Sequence, residues 1–467
     1  MNKKRCIMIL ADGARYSTFQ KLLQQGQLPA FEEIFLKEGK LLKGVSVFPS
    51  TTGPAYLPYL TGCFPGTCNI PGIRWFDKQE YSAFVFSTCK FRSYVGLESY
   101  LMDRDMNSNI PTLFELIPKS FNIFSAVSKG AKHHVSRHAK IWYWFYCHLT
   151  DRWDVADKAA FQKTLKIIEG DFEFLFVVFP GIDEFSHLSS PEHPSTLEAY
   201  QKLDTYFGEV GTRLKQLGKY DDTLFLLVSD HGLSECHTHY GVGEMLETHG
   251  LKTLYHPKVH RLRLDAASMT SGNAMTHIYF KGQNQWAERL THEALQGQYA
   301  EILAELRNEP AVGLMLTQAA SGWINVESKI GQAIIKENPD SIEYQVLKGD
   351  PFGYSALPTK MTQQEALAQT IHTQYPDALV QIPQLFRSSR TGDVVLSAAP
   401  GYDLRLRFEN PEHQSGHGAL HEQHMLVPIF INAPVTQDYA RSVDVFPTVL
   451  KLMGLEIPDG IDGEVIH

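Results

Sequence analysis

The stretch Cys6–Gly13, with the sequence CIMILADG, is an apolar run that ends on an aspartate and a turn glycine. Two later runs, at 172–179 and 223–228, are almost continuously apolar. We predict strands at Arg5–Ala11, Phe172–Phe179 and Thr223–Val228, because such runs are typical of parallel strands buried on both faces of a sheet. In open α/β sheets, the groups that follow the carboxyl ends of the strands form the functional site. These stretches therefore predict both the fold class and the edge of the sheet at which the site lies.

The order of predicted elements extends this pattern along the 467 residues. Strand-like runs alternate with helical ones to about residue 250, which indicates an α/β fold with a mostly parallel central sheet flanked by helices on both faces. Shorter strand-like pieces and one long helix, Gln285–Arg307, follow. We predict a catalytic domain formed by residues 1–264 and 401–467, and an inserted smaller α+β cap subdomain formed by residues 265–400. The aromatic run Ile141–Cys147 (IWYWFYC) predicts a buried strand or a wall of the cleft.

Charge and composition exclude several classes of partner. The formal net charge is −9, with 43 Lys and Arg against 52 Asp and Glu. Nucleic-acid polymers and anionic membranes are bound by a surplus of basic residues, so we expect neither as a general partner. No segment approaches the roughly 18 consecutive apolar residues of a membrane span, and no secretory signal is recognisable. Six cysteines occur without a CxxC pair, which indicates free thiols and a cytoplasmic location.

Metal-ligand chemistry follows the predicted strands. The turn Phe48–Pro54 (FPSTTGP) presents hydroxyls between a strand and a helix, and aspartates and histidines follow the other strands. Carboxylate and imidazole ligands without cysteine suit zinc. Two divalent ions about 4 Å apart serve phosphoryl transfer by activating the attacking oxygen and holding the leaving oxygen. We expect His237 and His239, which lie close to one of the motifs, to be ordinary loop residues. The candidate ligands of two divalent ions are Asp12, Thr52, Asp183, His187, Asp230, His231 and His417.

These motifs resemble those of the alkaline phosphatase superfamily, most closely the branch of nucleotide pyrophosphatase/phosphodiesterases. Residues Phe48–Ala55 line up with that branch's nucleophile segment, which has the pattern F-P-T-K-T-F-P-N. The alignment makes Thr52, and not Thr51, the expected nucleophile. Thr61–Pro65 fits the family pattern T-G-x-x-P, and Ser442–Leu450 is similar to the final helix of the superfamily.

The resemblance implies a division of the ligands between two zinc ions. One zinc, which activates water in the second step, would be held by Asp183, His187 and His417. The other would be held by Asp12, Asp230, His231 and Thr52. The implied reaction is the cleavage of phosphodiester or pyrophosphate bonds in small nucleotide-type or headgroup-type substrates. It proceeds by in-line attack of Thr52 and hydrolysis of a phosphothreonine intermediate.

Two departures from the family pattern leave the substrate open. Gly53 stands where the phosphodiesterases have an aromatic residue after the nucleophile. Their phosphoryl-binding asparagine falls on Gly72–Arg74, and with a shift of one residue Arg74 could hold the phosphoryl oxygens instead through a charge-assisted contact. A phosphomonoesterase or a phosphonate hydrolase of the same superfamily therefore stays open. A catalytically silent binding protein is a further alternative, although no ligand is missing. The oligomeric state is not predicted.

Overall fold

A computed structural model describes residues 3–83, 91–135, 137–283, 285–286, 288–406 and 412–467. The strands in chain order are β1 (Arg5–Ala11), β2 (Lys40–Val45), β3 (Arg74–Phe76), β4 (Phe91–Ser93), β5 (Ser120–Ile123), β6 (His133–Val135), β7 (Phe174–Phe179), β8 (Thr223–Val228), β9 (Ser234–His239), β10 (Thr253–Leu254), β11 (Ala266–Ser271), β12 (Met275–Phe280), β13 (Val312–Gln318), β14 (Ile324–Glu327), β15 (Gln332–Asn338), β16 (Ser341–Lys348), β17 (Lys360–Met361), β18 (Val394–Ala398), β19 (Gly401–Asp403), β20 (Ser415–Gly416), β21 (Leu426–Ile431) and β22 (Tyr439–Arg441).

Seventeen α-helices lie within these described residues. They are α1 (Tyr16–Gln24), α2 (Pro29–Phe31), α3 (Leu57–Thr61), α4 (Lys78–Ala83), α5 (Met102–Asp105), α6 (Leu113–Leu116), α7 (Arg137–Thr150), α8 (Trp153–Glu169), α9 (Gly181–Leu188), α10 (Pro194–Gln216), α11 (Val242–Thr248), α12 (His292–Gln298), α13 (Ala300–Asn308), α14 (Gln363–Thr370), α15 (Ala378–Phe386), α16 (Glu422–Met425) and α17 (Val445–Met453).

An eight-stranded sheet forms the centre of the molecule, in the order β22-β2-β21-β8-β1-β7-β5-β6. The neighbours from β8 to β6 all pair in parallel. Strand β21 is the exception, because it pairs antiparallel to both β8 and β2. The predicted α/β class with a mostly parallel central sheet is confirmed, and β1 and β8 have the predicted bounds.

Aromatic residues attach helices to both faces of this sheet. On one face, Phe430 of β21 contacts Phe19 of α1 and Phe31 of α2. On the other face, Phe176 of β7 contacts Phe114 of α6 and the ring of Tyr56. All of these rings are buried, and buried side chains of this size contribute about 1.5–3 kcal/mol each to the hydrophobic stabilisation. Tyr56 matters for function, because it connects this core to the carboxyl edge of the strands.

A second sheet of nine strands runs from Thr253 to Ala398, in the order β10-β11-β12-β18-β13-β14-β15-β16-β17. Its strands pair antiparallel except for β10 with β11. Its side chains share one buried cluster with Val47 and Phe48, which lead into the predicted nucleophile turn. The second sheet therefore supports that turn directly. The boundaries at residues 265 and 400 stay a prediction.

Three predicted elements differ from the structure. Strand β7 begins at Phe174, two residues later than predicted. The predicted long helix Gln285–Arg307 is two helices, α12 and α13, because Thr291 caps the start of α12 and the chain bends at Tyr299. The aromatic run at 141–147 is not a strand but part of helix α7. One side of that helix buries Cys147, while Trp142 is 72% exposed, as expected when side chains repeat every 3.6 residues. Among the described residues, no helix combines the length and apolar character needed to cross a bilayer.

Candidate active site and metal centre

Three neighbouring strands bring carboxylates to one edge of the central sheet. Strand β1 lies between β7 and β8, and Leu10 pairs with Val228. Asp12 and Asp230, each two residues further along, therefore stand level with one another. Asp183 arrives from the third side, in the first turn of α9, which begins two residues after β7. All three carboxylates are buried. The structure thus brings together three of the predicted ligands.

The turn after Asp12 explains why a glycine follows it. Gly13 has φ +72°, a left-handed conformation that favours glycine. A Cβ atom at this position would lie 2.8 Å from the Cα of Asp183. The close approach allows the backbone N–H of Gly13 to donate to Asp230 Oδ1 at 3.2 Å. The turn therefore orients one carboxylate while it makes room for another.

Thr52 faces this group of ligands from the turn between β2 and α3. Its Oγ1 lies 3.1 Å from His231 Nε2 and 3.5 Å from Asp12 Oδ1. Thr51 is fully buried, and its hydroxyl has no hydrogen-bond partner among the described atoms. Gly53 has φ +90°, and a Cβ there would come within 2.8 Å of Met102 Cε. An aromatic residue at position 53 would therefore be both strained and obstructed.

In each of the three predicted histidine ligands, the ring nitrogen Nδ1 faces a backbone carbonyl. Nδ1 of His187 lies 2.7 Å from the Ser415 carbonyl, Nδ1 of His417 lies 3.1 Å from that of Ser50, and Nδ1 of His231 lies 3.2 Å from that of Gly232. Because a carbonyl only accepts, each Nδ1 is the protonated nitrogen. Backbone or carboxylate partners fix metal-bound histidines in the same way. All three rings therefore direct Nε2 towards the carboxylates.

Carboxylate oxygens without donors face these nitrogens. His187 Nε2 lies 3.4 Å from Asp183 Oδ1, and His231 Nε2 lies 3.2 Å from Asp230 Oδ2. Neither carboxylate oxygen has a hydrogen-bond partner among the described atoms. A lone pair that faces a buried carboxylate oxygen needs a cation between them, either an added proton or a metal ion. The donor set and its spacing therefore fit divalent metal ions.

The ligand atoms form two overlapping groups. Asp12, Asp230 and His231 form one group, and Asp183, His417 and His231 form the other, with the ligand atoms of each group within 4.8 Å of one another. The first group matches one predicted zinc site. The second group contains Asp183 and His417, which were predicted to share a zinc ion, and also His231, whose ring stacks on that of His417 at 3.6 Å. His187 reaches this group through Asp183.

The electrostatics of the cluster show a shortage of positive charge. Burial raises the pKa of Asp12 well above its usual value, and the Asp230 and Asp183 carboxylates raise it further. Burial alone lowers the pKa of His187, but the Asp183 carboxylate outweighs it and raises that pKa to about 9. Burial and His231 hold the pKa of His417 well below its usual value. The cluster therefore attracts cations. Protons can neutralise only part of its negative charge, because His417 resists protonation.

Three residues near the site had not been predicted. Tyr56 donates its hydroxyl to Asp12 Oδ2, and the ring of His413 stacks on His187 at 4.2 Å. Lys140 of α7 has its ammonium 4.7 Å from the Trp144 ring. Burial lowers the pKa of Lys140 to about 8, while the Asp12 carboxylate opposes this shift. The only sequence signal for any of these residues was the position of Tyr56, four residues after Thr52. Lys140 was missed because the run 141–147, which directly follows it, was interpreted as a buried strand or a wall of the cleft.

Arg74 lies in a separate cavity beside the hairpin that holds His417. Its Nη1 donates to the Thr270 carbonyl at 3.0 Å, and its Nε donates to Ser93 Oγ at 3.2 Å. Arg405 and His256 line the same cavity, whose volume is about 20 Å³. Burial and the Arg405 charge lower the pKa of Arg74 to about 9. The substrate-binding role of Arg74 stays a prediction.

Comparison with solved structures shows which folds are similar. Murine ectonucleotide pyrophosphatase / phosphodiesterase 5 has a TM-score of 0.57 at 13% identity, over 97% of this chain and 96% of that one. Phosphonoacetate hydrolase from Sinorhizobium meliloti 1021, in complex with phosphonoacetate, has a TM-score of 0.57 at 14% identity, with the same coverage of both chains. At these identities the similarity shows the fold alone.

Curated relatives match over shorter segments. GPI ethanolamine phosphate transferase 2 of Yarrowia lipolytica is 23% identical over 179 residues, which are 38% of this chain and 19% of that protein. The protein of that name from Aspergillus oryzae is 28% identical over 97 residues, which are 21% of this chain and 11% of the relative. The matches thus span at most about a fifth of these relatives.

The sequence model of one family matches nearly the whole chain. It is described as type I phosphodiesterase / nucleotide pyrophosphatase, and it matches residues 6–421. This range includes the three strand ends, the Thr52 turn and His417, and it confirms the resemblance found in the sequence. The chain therefore belongs to the type I phosphodiesterase / nucleotide pyrophosphatase family.

Proposed function

We propose that the protein is a two-zinc phosphohydrolase that cleaves phosphodiester or pyrophosphate bonds through a phosphothreonine intermediate. The observation that carries the proposal is the position of Thr52, whose Oγ1 lies 3.1 Å from His231 Nε2 and 3.5 Å from Asp12 Oδ1. A hydroxyl in that position is the nucleophile that a phosphoryl-transfer site requires. A silent binding protein is less well supported, because all seven predicted groups are present.

The metal proposal rests on the buried ligands. When bound, two divalent ions would neutralise the phosphoryl oxygens and favour ionisation of the attacking oxygen. Asp12, Asp230, His231 and Thr52 would hold one of them. Asp183, His187 and His417 would hold the other, next to the shared ring of His231. Nitrogen and carboxylate donors without cysteine favour zinc over magnesium or calcium.

The side chains of the protein account for the orientation of the reaction. The Thr52 hydroxyl can donate to Asp12 Oδ1, so that an oxygen lone pair stays available for an incoming phosphorus and the Nε2 lone pair of His231 stays available for the metal ion. Thr52 Oγ1 then loses its proton to solvent and forms a bond to phosphorus, while the bond from phosphorus to the leaving oxygen breaks and the leaving oxygen takes up a proton from water. Water cleaves the phosphothreonine in a second displacement and regenerates the hydroxyl. Tyr56 fixes Asp12 throughout these steps.

Nucleotide-type or headgroup-type diesters are the proposed substrates. The names of the similar proteins support this class: one is a nucleotide pyrophosphatase / phosphodiesterase, and another is an ethanolamine phosphate transferase. The net charge of −9 also supports a small substrate over a nucleic-acid polymer. The cytoplasmic location stays a prediction; the described cysteines Cys6, Cys63, Cys68, Cys147 and Cys236 are all free thiols.

A second candidate is the hydrolysis of a phosphonate or phosphomonoester. Its support is the positive charge of Arg74 and Arg405, which line one small cavity together with His256 and Glu244. The similar fold of a phosphonoacetate hydrolase points in the same direction. A dianionic substrate would gain more than a monoanionic diester from this extra positive charge. The two candidates therefore differ in how much they depend on Arg74.

A panel of esters with defined metal content tests the proposal. We expect the zinc-loaded enzyme to have a higher kcat/KM for bis-p-nitrophenyl phosphate than for p-nitrophenyl phosphate, and chelation to abolish both activities. Phosphonoacetate, followed by phosphate release, measures the second candidate. Higher activity on p-nitrophenyl phosphate or phosphonoacetate than on every diester would favour the second candidate. Full activity in chelator with no bound metal would contradict both.

Thermal unfolding tests the metal site independently of turnover. An ion present at a hundred times its Kd, and bound only by the folded chain, stabilises the protein by about 2.7 kcal/mol. We expect chelation to lower the Tm and zinc to restore it. Asp183→Asn removes a ligand of one of the two proposed ions, so zinc should raise its Tm clearly less than that of the wild type. Asp171→Asn, which removes an exposed carboxylate paired with Lys119, is the matched control and should retain the response.

A further inference from the structure

A second group of metal-ligand side chains lies outside the proposed active site. Cys236 and His239 belong to β9 and Asp403 belongs to β19, in a small sheet with the order β19-β9-β20. One ligand atom from each residue lies within 4.8 Å of the other two. Asp403 is buried, while Cys236 and His239 are partly exposed. A thiol, an imidazole and a carboxylate so close together are a typical donor set for zinc.

A β-bulge creates this arrangement. Residues three apart on a regular strand point to opposite faces, so Cys236 and His239 would normally be separated. The pairing of β9 with β19 shifts, however: Gly401 pairs with Cys236, whereas Tyr402 pairs with Thr238. The extra residue on β9 reverses the alternation of side chains. The bulge therefore turns Cys236 and His239 to the same side, with Asp403 directly opposite His239.

The imidazole of His239 is oriented as a metal ligand would be. Its Nδ1 lies 3.5 Å from Asp403 Oδ2, and its Nε2 lies 3.0 Å from Glu412 Oε1. Two ligands that are each about 2.0–2.2 Å from a tetrahedral zinc are separated by a similar distance. A carboxylate on the second ring nitrogen is the usual outer support of a metal-bound histidine. Asp403 is itself held, since its Oδ1 accepts the Arg405 backbone N–H at 2.8 Å.

We infer that Cys236, His239 and Asp403 bind a third metal ion of the zinc class, with Glu412 orienting the imidazole. Binding would release the thiol proton of Cys236 to solvent, so that the sulfur coordinates as a thiolate. The thiolate makes the site selective for zinc and similar ions over magnesium and calcium. Three protein ligands leave one position for water or another small ligand.

The ion would be connected to the catalytic histidines through the backbone. The N–H of Cys236 donates to the Gln414 carbonyl at 2.9 Å, and the N–H of Gln414 donates to the His187 carbonyl at 2.8 Å. Strand β20, which pairs with β9, directly precedes His417. A metal that joins β9 to β19 therefore stiffens the segment that positions both His187 and His417.

Cobalt spectroscopy on the full-length protein tests the site. Co²⁺ bound by a thiolate gives a charge-transfer absorption in the near ultraviolet, which Asp and His ligands do not give. Because the proposed active site contains no cysteine, only the new site can produce this band. We expect titration of the metal-free protein with Co²⁺ to give the band in the wild type and in Asp230→Asn. Cys236→Ser should remove the band together with one equivalent of bound cobalt.

The controls separate this site from other thiols and from misfolding. Cys147→Ser replaces a buried cysteine elsewhere, and Cys89→Ser replaces one outside the described residues; both variants should retain the band. His239→Gln and Asp403→Asn should weaken cobalt binding at least tenfold while Cys236 is still present. The alternative is that a protonated His239 simply bridges Asp403 and Glu412. Absence of the band in the folded wild type, or its persistence in Cys236→Ser, would overturn the inference in favour of that ion pair.

Discussion

The metal-ligand cluster and the Arg74 cavity are both buried, but the first is dominated by carboxylates, whereas the second brings guanidinium groups close to carboxylates. The cluster gathers three carboxylates, Asp12, Asp183 and Asp230, and burial together with their mutual repulsion raises the pKa of Asp12. The cavity brings together two guanidinium groups and the Glu244 carboxylate. Burial together with Arg405 lowers the pKa of Arg74, while the Asp403 carboxylate opposes this shift. A buried imbalance of either sign is costly unless a ligand compensates it. The difference indicates that the first region needs an added cation, whereas the charges around the second partly compensate one another.

One hairpin connects the two regions. The turn between β11 and β12 approaches His417 so closely that a Cβ on Gly272 would lie 2.6 Å from its Nδ1. The same hairpin supplies the Thr270 carbonyl that holds the Arg74 guanidinium. The hairpin therefore contacts both regions.

The largest expected effect is on the nucleophile. Thr52→Ala should lower kcat by on the order of 10³-fold or more, as removal of a covalent nucleophile does in other hydrolases. Bound zinc, measured by elemental analysis, should be nearly unchanged, because the other ligands are intact. Thr52→Ser, which retains a hydroxyl, should keep measurable turnover and a trapped phosphoenzyme.

Thr51→Ala is the matched control for Thr52→Ala. The Thr51 side chain is buried, and its hydroxyl makes no hydrogen bond among the described atoms, so this variant should keep substantial activity with a modest loss of stability. An inactive Thr51→Ala enzyme beside an active Thr52→Ala enzyme would shift the nucleophile by one residue. Thr52 would then not be the residue that attacks phosphorus.

The second prediction compares how two buried carboxylates make stability depend on pH. Asp183 has His187 beside it, whereas Asp157 accepts a backbone N–H. Asp157 accepts the Gly181 N–H at the start of α9, and burial raises its pKa from 3.8 to about 7. The folded state therefore holds the proton more tightly than the unfolded state. The resulting stabilisation is fully present below pH 4 and is lost as the pH rises through 7, by at most about 4 kcal/mol.

Urea unfolding at pH 5 and pH 8 measures this effect. Asp157→Asn keeps an oxygen acceptor for Gly181 but cannot ionise, so its free energy of unfolding should fall less than that of the wild type between the two pH values. The opposite sign is expected around Asp183, whose pKa His187 lowers in spite of burial. Equal pH dependence in the wild type and Asp157→Asn would show that this carboxyl ionises without cost.

The apolar strands and their ends were the part of the molecule that the sequence determined most directly. Strands β1 and β8 have their predicted bounds because a fully buried parallel strand requires an uninterrupted apolar run. The aspartates just after them meet at one edge because adjacent parallel strands end together. Thr52 was also singled out from the sequence, and its hydroxyl lies 3.1 Å from His231 Nε2; its role as the nucleophile stays a prediction.

Contacts between distant segments could not be predicted in the same way. Residues 141–147 of helix α7 were interpreted as a buried strand or a wall of the cleft, because their run of aromatic residues hides a 3.6-residue period of which only one side is buried. Consequently the approach of Lys140 to the carboxylates was missed. The cavity around Arg74 depends on Arg405 and His256, which lie far away in the chain. No local pattern encodes such an arrangement.

The third prediction tests the Arg74 cavity. Arg74→Ala should lower kcat/KM for p-nitrophenyl phosphate about a hundredfold, because loss of one charge-assisted contact to a phosphoryl group costs on the order of 2–4 kcal/mol. The loss for bis-p-nitrophenyl phosphate should be much smaller. Arg387→Ala, which removes an arginine paired with Glu337 and Asp462, is the control and should affect both esters equally little. Equal losses for the two esters in Arg74→Ala would assign Arg74 a structural role only.

The smallest effect is expected at Tyr56, which tests how firmly the cation-binding region must be held. Its hydroxyl donates to Asp12 Oδ2, so Tyr56→Phe leaves a buried carboxylate oxygen without its donor. Loss of a hydrogen bond to a charged group costs about 1.5 kcal/mol or more, which corresponds to at least about a tenfold decrease in zinc affinity or kcat/KM.

Tyr59→Phe is the control, because it removes a hydroxyl that donates to the Ser229 carbonyl at 2.6 Å instead. It should lower the Tm by a similar amount while zinc affinity changes little. If both variants lose stability but neither changes zinc affinity, Tyr56 packs in the core without positioning Asp12, and the carboxylate is oriented by the strand end alone.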